Sequence, residues 1–121
     1  MEVEEYLKNY RQRIKKEEVE RKELFKKLNK KTRQAVEKVG DEYKIEKIYL
    51  FGSLVDEEKF RLNSDIDLAV EGLKVADYLD FWGELEKELE YSFDLVQVEK
   101  ADDPLLETIK EEGEIIYESG R

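Results

Sequence analysis

Residues 45–70 read IEKIYLFGSLVDEEKFRLNSDIDLAV, and the order of signals in this stretch decides the fold. Ile45 to Phe51 is a short apolar run rich in β-branched and aromatic residues, which predicts a strand. Gly52 and Ser53 follow at once. Gly permits close backbone approach and Ser can cap, so they predict a turn into a short helix from Ser53 to about Phe60. Asp65 to Val70 predicts a second strand. Side chains alternate faces along a strand, so the carboxylates of Asp65 and Asp67 project together, while Ile66, Leu68 and Val70 point the other way into a core.

Downstream, Val75 to Glu90 has the spacing of an amphipathic helix, and Ser92 to Val98 reads as a third strand. Pro104 suits the first turn of a helix that runs through Glu111, and Ile115 to Tyr117 forms a last short strand. Upstream, Val3, Leu7, Tyr10 and Ile14 fall at helical spacing, which resumes at Leu24, Phe25, Leu28, Ala35 and Val39. Between these groups KKEEVERKE is almost wholly charged, as a solvated helix face would be. No Gly or Pro precedes Gly40. Residues 2–38 therefore predict one long helix, or two hinged in the charged stretch or near Asn29, with Gly40 as the C-cap. The alternation as a whole implies an α/β (α+β) fold: helices packed on a small sheet, preceded by a long N-terminal helix.

A chain of 121 residues has room for one domain with a real core. No apolar run approaches the length of a membrane span, and MEVEEYLKNY lacks the layout of a signal peptide, so a soluble, cytoplasmic protein is expected. With no Cys and no His, disulfides, thiolate chemistry, the common zinc sites and imidazole catalysis are excluded. The charged fraction is 45% and dominated by Glu and Lys, a bias shared with thermophile proteins. Residues 1–39 hold 13 Lys/Arg against 8 Asp/Glu, and residues 40–121 hold 9 against 24. A body that acidic repels phosphate backbones, which argues against nucleic acid as the main ligand.

Any chemistry must then rest on carboxylates, lysines, hydroxyls or a hard metal. Two carboxylates held side by side repel each other unless a cation lies between them, and Mg²⁺ with its preference for oxygen ligands suits such a pair. Nine Asp in 121 residues would give about 0.7 D-x-D matches by chance, so the pair alone reads equally as a solvated strand end. Gly52 and Ser53 offer N–H groups and a helix N-terminus to a phosphate, yet alone they are an ordinary turn and cap. Asp94 falls in the third apolar strand, where a buried charge costs several kcal/mol unless paired or metal-bound. Alone it reads as a strand-edge Asp. What is specific is the ordered conjunction of strand, Gly-Ser, short helix, D-x-D strand, long helix and a strand with one more Asp.

Through YLFGS, SDIDLAV and FDLVQVE the sequence resembles the minimal nucleotidyltransferases of the DNA polymerase beta superfamily, over about residues 23–121. The resemblance implies a small mixed sheet, with residues 1–22 as a helical extension. It also implies that Gly52 and Ser53 hold the polyphosphate of a nucleotide, and that Asp65 and Asp67 bind two Mg²⁺ ions. Asp94 would join one metal beside the attacking hydroxyl. The implied reaction is transfer of AMP from ATP, and minimal members resemble antitoxins that act on HEPN-type toxin partners. The loop between Ser53 and Asp65 holds 11 residues, one more than is common in the family. Where many members carry an Arg after the Ser, this chain reads LVDEEKF, with Lys59 and Arg61 as substitutes. Two other readings stand beside this one. The first is an inactive interaction module that binds a partner, or a second copy, through the N-terminal helix; the second is a small-molecule adenylyltransferase.

Overall fold

The computed structural model describes residues 2–120. The first helix, α1 (Val3–Tyr43), is unbroken, because its charged middle contains good helix formers and no Gly or Pro. It runs through Gly40 and ends with Lys44 in the left-handed conformation at φ 55°. Gly40 is thus not the expected C-cap. A Cβ there would stand 2.7 Å from Cε2 of Tyr117, so this glycine lets the helix lie against the last strand.

Four strands follow: β1 (Lys47–Phe51), β2 (Ile66–Glu71), β3 (Phe93–Gln97) and β4 (Glu114–Glu118). They form one mixed sheet in the order β3-β2-β1-β4. β1 is antiparallel to both neighbours, while β2 and β3 are parallel, a pairing that requires a crossover. The crossover is α2 (Tyr78–Leu89), preceded by a single 3₁₀ turn at Val75–Asp77. The last helix, α3 (Asp103–Glu112), is capped by Asp102, whose side chain accepts from the Leu105 N–H at 3.0 Å, with Pro104 in its first turn. Such a cap is worth about 1 kcal/mol.

Strand alternation gives the sheet two buried faces. Ile48, Leu50, Ile66, Leu68 and Val70 pack with Leu28, Val36 and Val39 of α1 and with Phe81, Leu85 and Leu89 of α2. Tyr49, Phe51, Ala69 and Val98 pack on the opposite face against Ile109 of α3. The domain is therefore a sheet held between α1/α2 and α3. The N-terminal part of α1 extends beyond this core, leaving Val3, Leu7, Tyr10 and Ile14 exposed. Among the described residues no helix is long and apolar enough to cross a membrane.

Candidate active site

The site is assembled where β1 ends and β2 and β3 begin. Asp67 is in register with Phe51 on one side and with Asp94 on the other. Residues in register on neighbouring strands share a face about 5 Å apart, and like charges so placed destabilise each other. Asp65 is exposed, one residue before β2 rather than within it. Asp94 is also exposed, because β3 is an edge strand. The burial cost expected for Asp94 is therefore not incurred there. It falls on Asp67, whose carboxyl is pushed up to about 6, first by burial and then by the charges of Asp94 and Asp65.

Gly52 makes room for that carboxylate. Its φ is +74°, and a Cβ would overlap Oδ2 of Asp67 and lie 3.1 Å from its Cγ. Any side chain here would be strained and would displace Asp67. Gly52 and Ser53 open a single 3₁₀ turn, Gly52–Val55, in place of the expected helix to Phe60. So short a turn has no macrodipole to offer a phosphate. What remains is the exposed backbone of Gly52 and the half-exposed hydroxyl of Ser53. The turn is anchored from α1 by Asn29, whose Nδ2 donates to the Leu54 carbonyl at 3.0 Å.

The helix fails beyond Val55 because the loop satisfies its backbone otherwise. Oδ1 of Asp56 accepts from the Glu58 N–H at 3.0 Å, closing an Asx turn. Phe60 is buried edge-on against Phe25, with ring centroids 5.6 Å apart. Arg21 donates from its guanidinium to the Glu57 and Phe60 carbonyls. Arg61 donates from one terminal guanidinium nitrogen to the carbonyls of Glu58 and Phe60 at 2.7 and 2.8 Å, which ties it to its own loop. Tyr91 donates its hydroxyl to the Ser64 carbonyl at 2.9 Å and so fixes the approach to Asp65.

Among the described residues no three Asp or Glu side chains converge into a ready-made metal cage. The donor set still fits a hard divalent cation: it is all carboxylate, and one member is half-buried and repelled by the other two. All five residues singled out from the sequence, Gly52, Ser53, Asp65, Asp67 and Asp94, lie at this end of the sheet. The structure adds Asn29 and Arg33 from α1, with Arg33 Nε donating to Asn29 Oδ1 at 2.7 Å. Their i,i+4 spacing shows in the sequence, but nothing there ties them to the turn at Leu54.

A mixed sheet ending in a Gly-Ser turn and adjoining carboxylates defines a module of the nucleotidyltransferase class. The chain belongs to the family described as Polymerase beta, Nucleotidyltransferase, whose sequence model matches residues 30–121. No curated protein sequence matches it. Among solved structures it is similar to a chain of a toxin–antitoxin complex with AMP-PNP, at 27% identity over 73% of this chain and 74% of that one, with a TM-score of 0.60. It is also similar to a chain of the MntA-HepT toxin–antitoxin, at 25% identity over 73% and 71%, TM-score 0.55. A third likeness is to a chain in the complex of a tri-AMPylated Shewanella oneidensis HEPN toxin with MNT antitoxin. There the identity is 24% over 75% and 73%, TM-score 0.57, which speaks for the fold alone.

Proposed function

We propose that this chain is a Mg²⁺-dependent nucleotidyltransferase that transfers AMP from ATP to a hydroxyl of a HEPN-type partner protein, and so acts as an antitoxin in the cytoplasm. The observation that carries the reading is the placement of Asp67 directly across from Asp94 and hard against Gly52. That arrangement is unfavourable for the chain alone and suited to holding cationic charge beside a phosphate. The similarity to chains of toxin–antitoxin complexes, one of them with AMP-PNP, supports both the nucleotide and the partner.

In this reading Asp65, Asp67 and Asp94 hold two Mg²⁺ ions, which when bound offset the phosphate charge and make the acceptor hydroxyl more acidic. Gly52 keeps side chains out of the phosphate path, and the Ser53 hydroxyl hydrogen-bonds the polyphosphate. Asp94, exposed on the edge strand, faces the incoming acceptor and receives its proton. The acceptor oxygen bonds to the α-phosphorus as the bond to the bridging oxygen of the β-phosphate breaks, giving an AMP ester and pyrophosphate. There is little covalent work for the protein, so positioning supplies much of the rate. Orientation of the acceptor falls to the partner that carries it.

The reading is tested by incubating the chain with a HEPN-type partner, ATP and Mg²⁺ and measuring the partner's intact mass. Gain of one or more AMP units on a Tyr hydroxyl is expected, and Asp94→Asn should slow it by about 100-fold or more, as loss of a proton acceptor does. An unmodified partner in a complex that demonstrably forms would favour the inactive interaction module.

A further inference from the structure

We infer that the N-terminal part of α1 pairs antiparallel with the same segment of a second copy of this chain, an inference that stands apart from the catalytic site. Val3, Leu7, Tyr10 and Ile14 lie along α1 in steps of four and three, and the same steps lead on through Glu17 to Arg21, Leu24 and Leu28. That is the spacing of one seam in a two-helix pair. The C-terminal half of the seam is covered by the chain's own domain: Leu28 is buried, Leu24 packs against the core, and Arg21 donates to the Glu57 and Phe60 carbonyls. The N-terminal half is bare, with Leu7, Tyr10 and Ile14 exposed by 40–46% and Val3 by 73%.

Two features fix the orientation. Because α1 is unbroken, a parallel second copy would continue past Ile14 into the space that the first copy's domain fills at Leu24 and Leu28. An antiparallel copy runs away from that domain. Its overlap stops where the domain begins to cover the seam, at Glu17 and Arg21, so residues whose numbers sum to about 17 lie opposite one another. Val3 of each copy then packs on Ile14 of the other, and Leu7 on Tyr10, which gives four apolar layers. Charge selects the same arrangement. Glu2, Glu4 and Glu5 form an acidic end, and Lys8, Arg11, Arg13, Lys15 and Lys16 follow with no Asp or Glu among residues 6–16. Antiparallel pairing lays the acidic end of each copy along the basic stretch of the other, whereas a parallel pair in register sets like charges together. Glu4 and Arg11 stand seven residues apart on one flank of the seam. Like flanks meet in an antiparallel pair, so Glu4 of each copy faces Arg11 of the other.

The end of the overlap has a place to lie. Ile14 and Arg21 of α1 line an open groove of about 520 Å³ with Arg61 and Leu62 of the loop, and Leu62 is 42% exposed. Val3 of the second copy, seated on Ile14, enters this groove and covers Leu62. Layers and charges are thus complementary to themselves when reversed, as a two-fold pair of identical chains requires.

Sedimentation equilibrium of the full chain at micromolar concentration and low salt should give a dimer. Leu7→Glu should weaken association about 100-fold or more, because it buries two charges per dimer. Glu4→Arg should weaken it about 10-fold, and adding Arg11→Glu should restore it. The chain has no Cys, so orientation can be read by thiol cross-linking. Val3→Cys mixed with Ile14→Cys should join through a short bis-maleimide. Val3→Cys alone should not, since its two thiols would lie about 16 Å apart along the axis. A parent chain that stays monomeric throughout the micromolar range, or a dimer unchanged by Leu7→Glu, would overturn the inference. Cross-linking of Val3→Cys alone would establish a parallel pair and overturn it too. Should Leu7→Glu not fold, Leu7→Ser replaces it under the same criteria.

Discussion

Asp67 carries an unfavourable charge in the chain alone, and the sign of its effect on stability is fixed. Its native carboxyl titrates near 6, above the ordinary value of about 4 in an unfolded chain. Between these values the folded chain holds a proton that the unfolded chain has released. Stability from this group is present below pH ~4, falls as pH rises through ~6, and is absent above it. Asp67→Asn, which does not titrate, should therefore gain on the parent from pH ~4 to ~6 and keep a constant advantage above that. Thermal unfolding without divalent cation measures the difference, and a difference flat across pH 4–8 would contradict the account. The Asp65/Asp67 pair and the Gly-Ser turn were legible in the sequence because strand alternation and turn chemistry are local. The exposure of Asp94 agrees with its reading as a strand-edge Asp, but that β3 lies at the sheet edge was not legible, because strand order is set by tertiary pairing. The tie of Asn29 to Leu54, 25 residues on, and the bonds of Arg33 to Asn29 and Glu114 were equally hidden.

Among the elements, the strands and α3 were legible to within two residues, and α2 to within three, its first turn being 3₁₀, since their apolar periods are fixed by the faces they bury. Two helix ends were not. Gly40 resembles a helix stop by residue type, but its lack of a Cβ is used against Tyr117. Residues 56–60 resemble a helix by composition, but Asp56, Phe60 and Arg21 stabilise a loop. We propose that residues 1–22 are dispensable for folding and serve association through the exposed seam Val3, Leu7, Tyr10 and Ile14. Within them Arg21 is distinct, because it clamps the loop that joins Ser53 to Asp65. Deleting residues 1–17 should leave the melting midpoint unchanged. Arg21→Ala should lower it by a few degrees and speed amide exchange in residues 56–64, the segment whose carbonyls it holds. Unfolding of the 1–17 deletion would make the whole of α1 part of the core.

Taken together, the chain is one small acidic domain, residues 40–121 holding 9 Lys/Arg against 24 Asp/Glu, with a basic helix at its front. The acidity disfavours free nucleic acid as acceptor, and this is the physical ground for placing the acceptor on a partner protein. The central claim is that the α-phosphate, with its nucleoside, is what moves. Parallel incubations of the chain and a HEPN-type partner with ATP labelled at the α- or the γ-phosphate measure this directly. Label should enter the partner from the α-position only, only with Mg²⁺, and not with Asp67→Asn. Label entering from the γ-position, or α-label persisting undiminished in Asp67→Asn, would contradict the account.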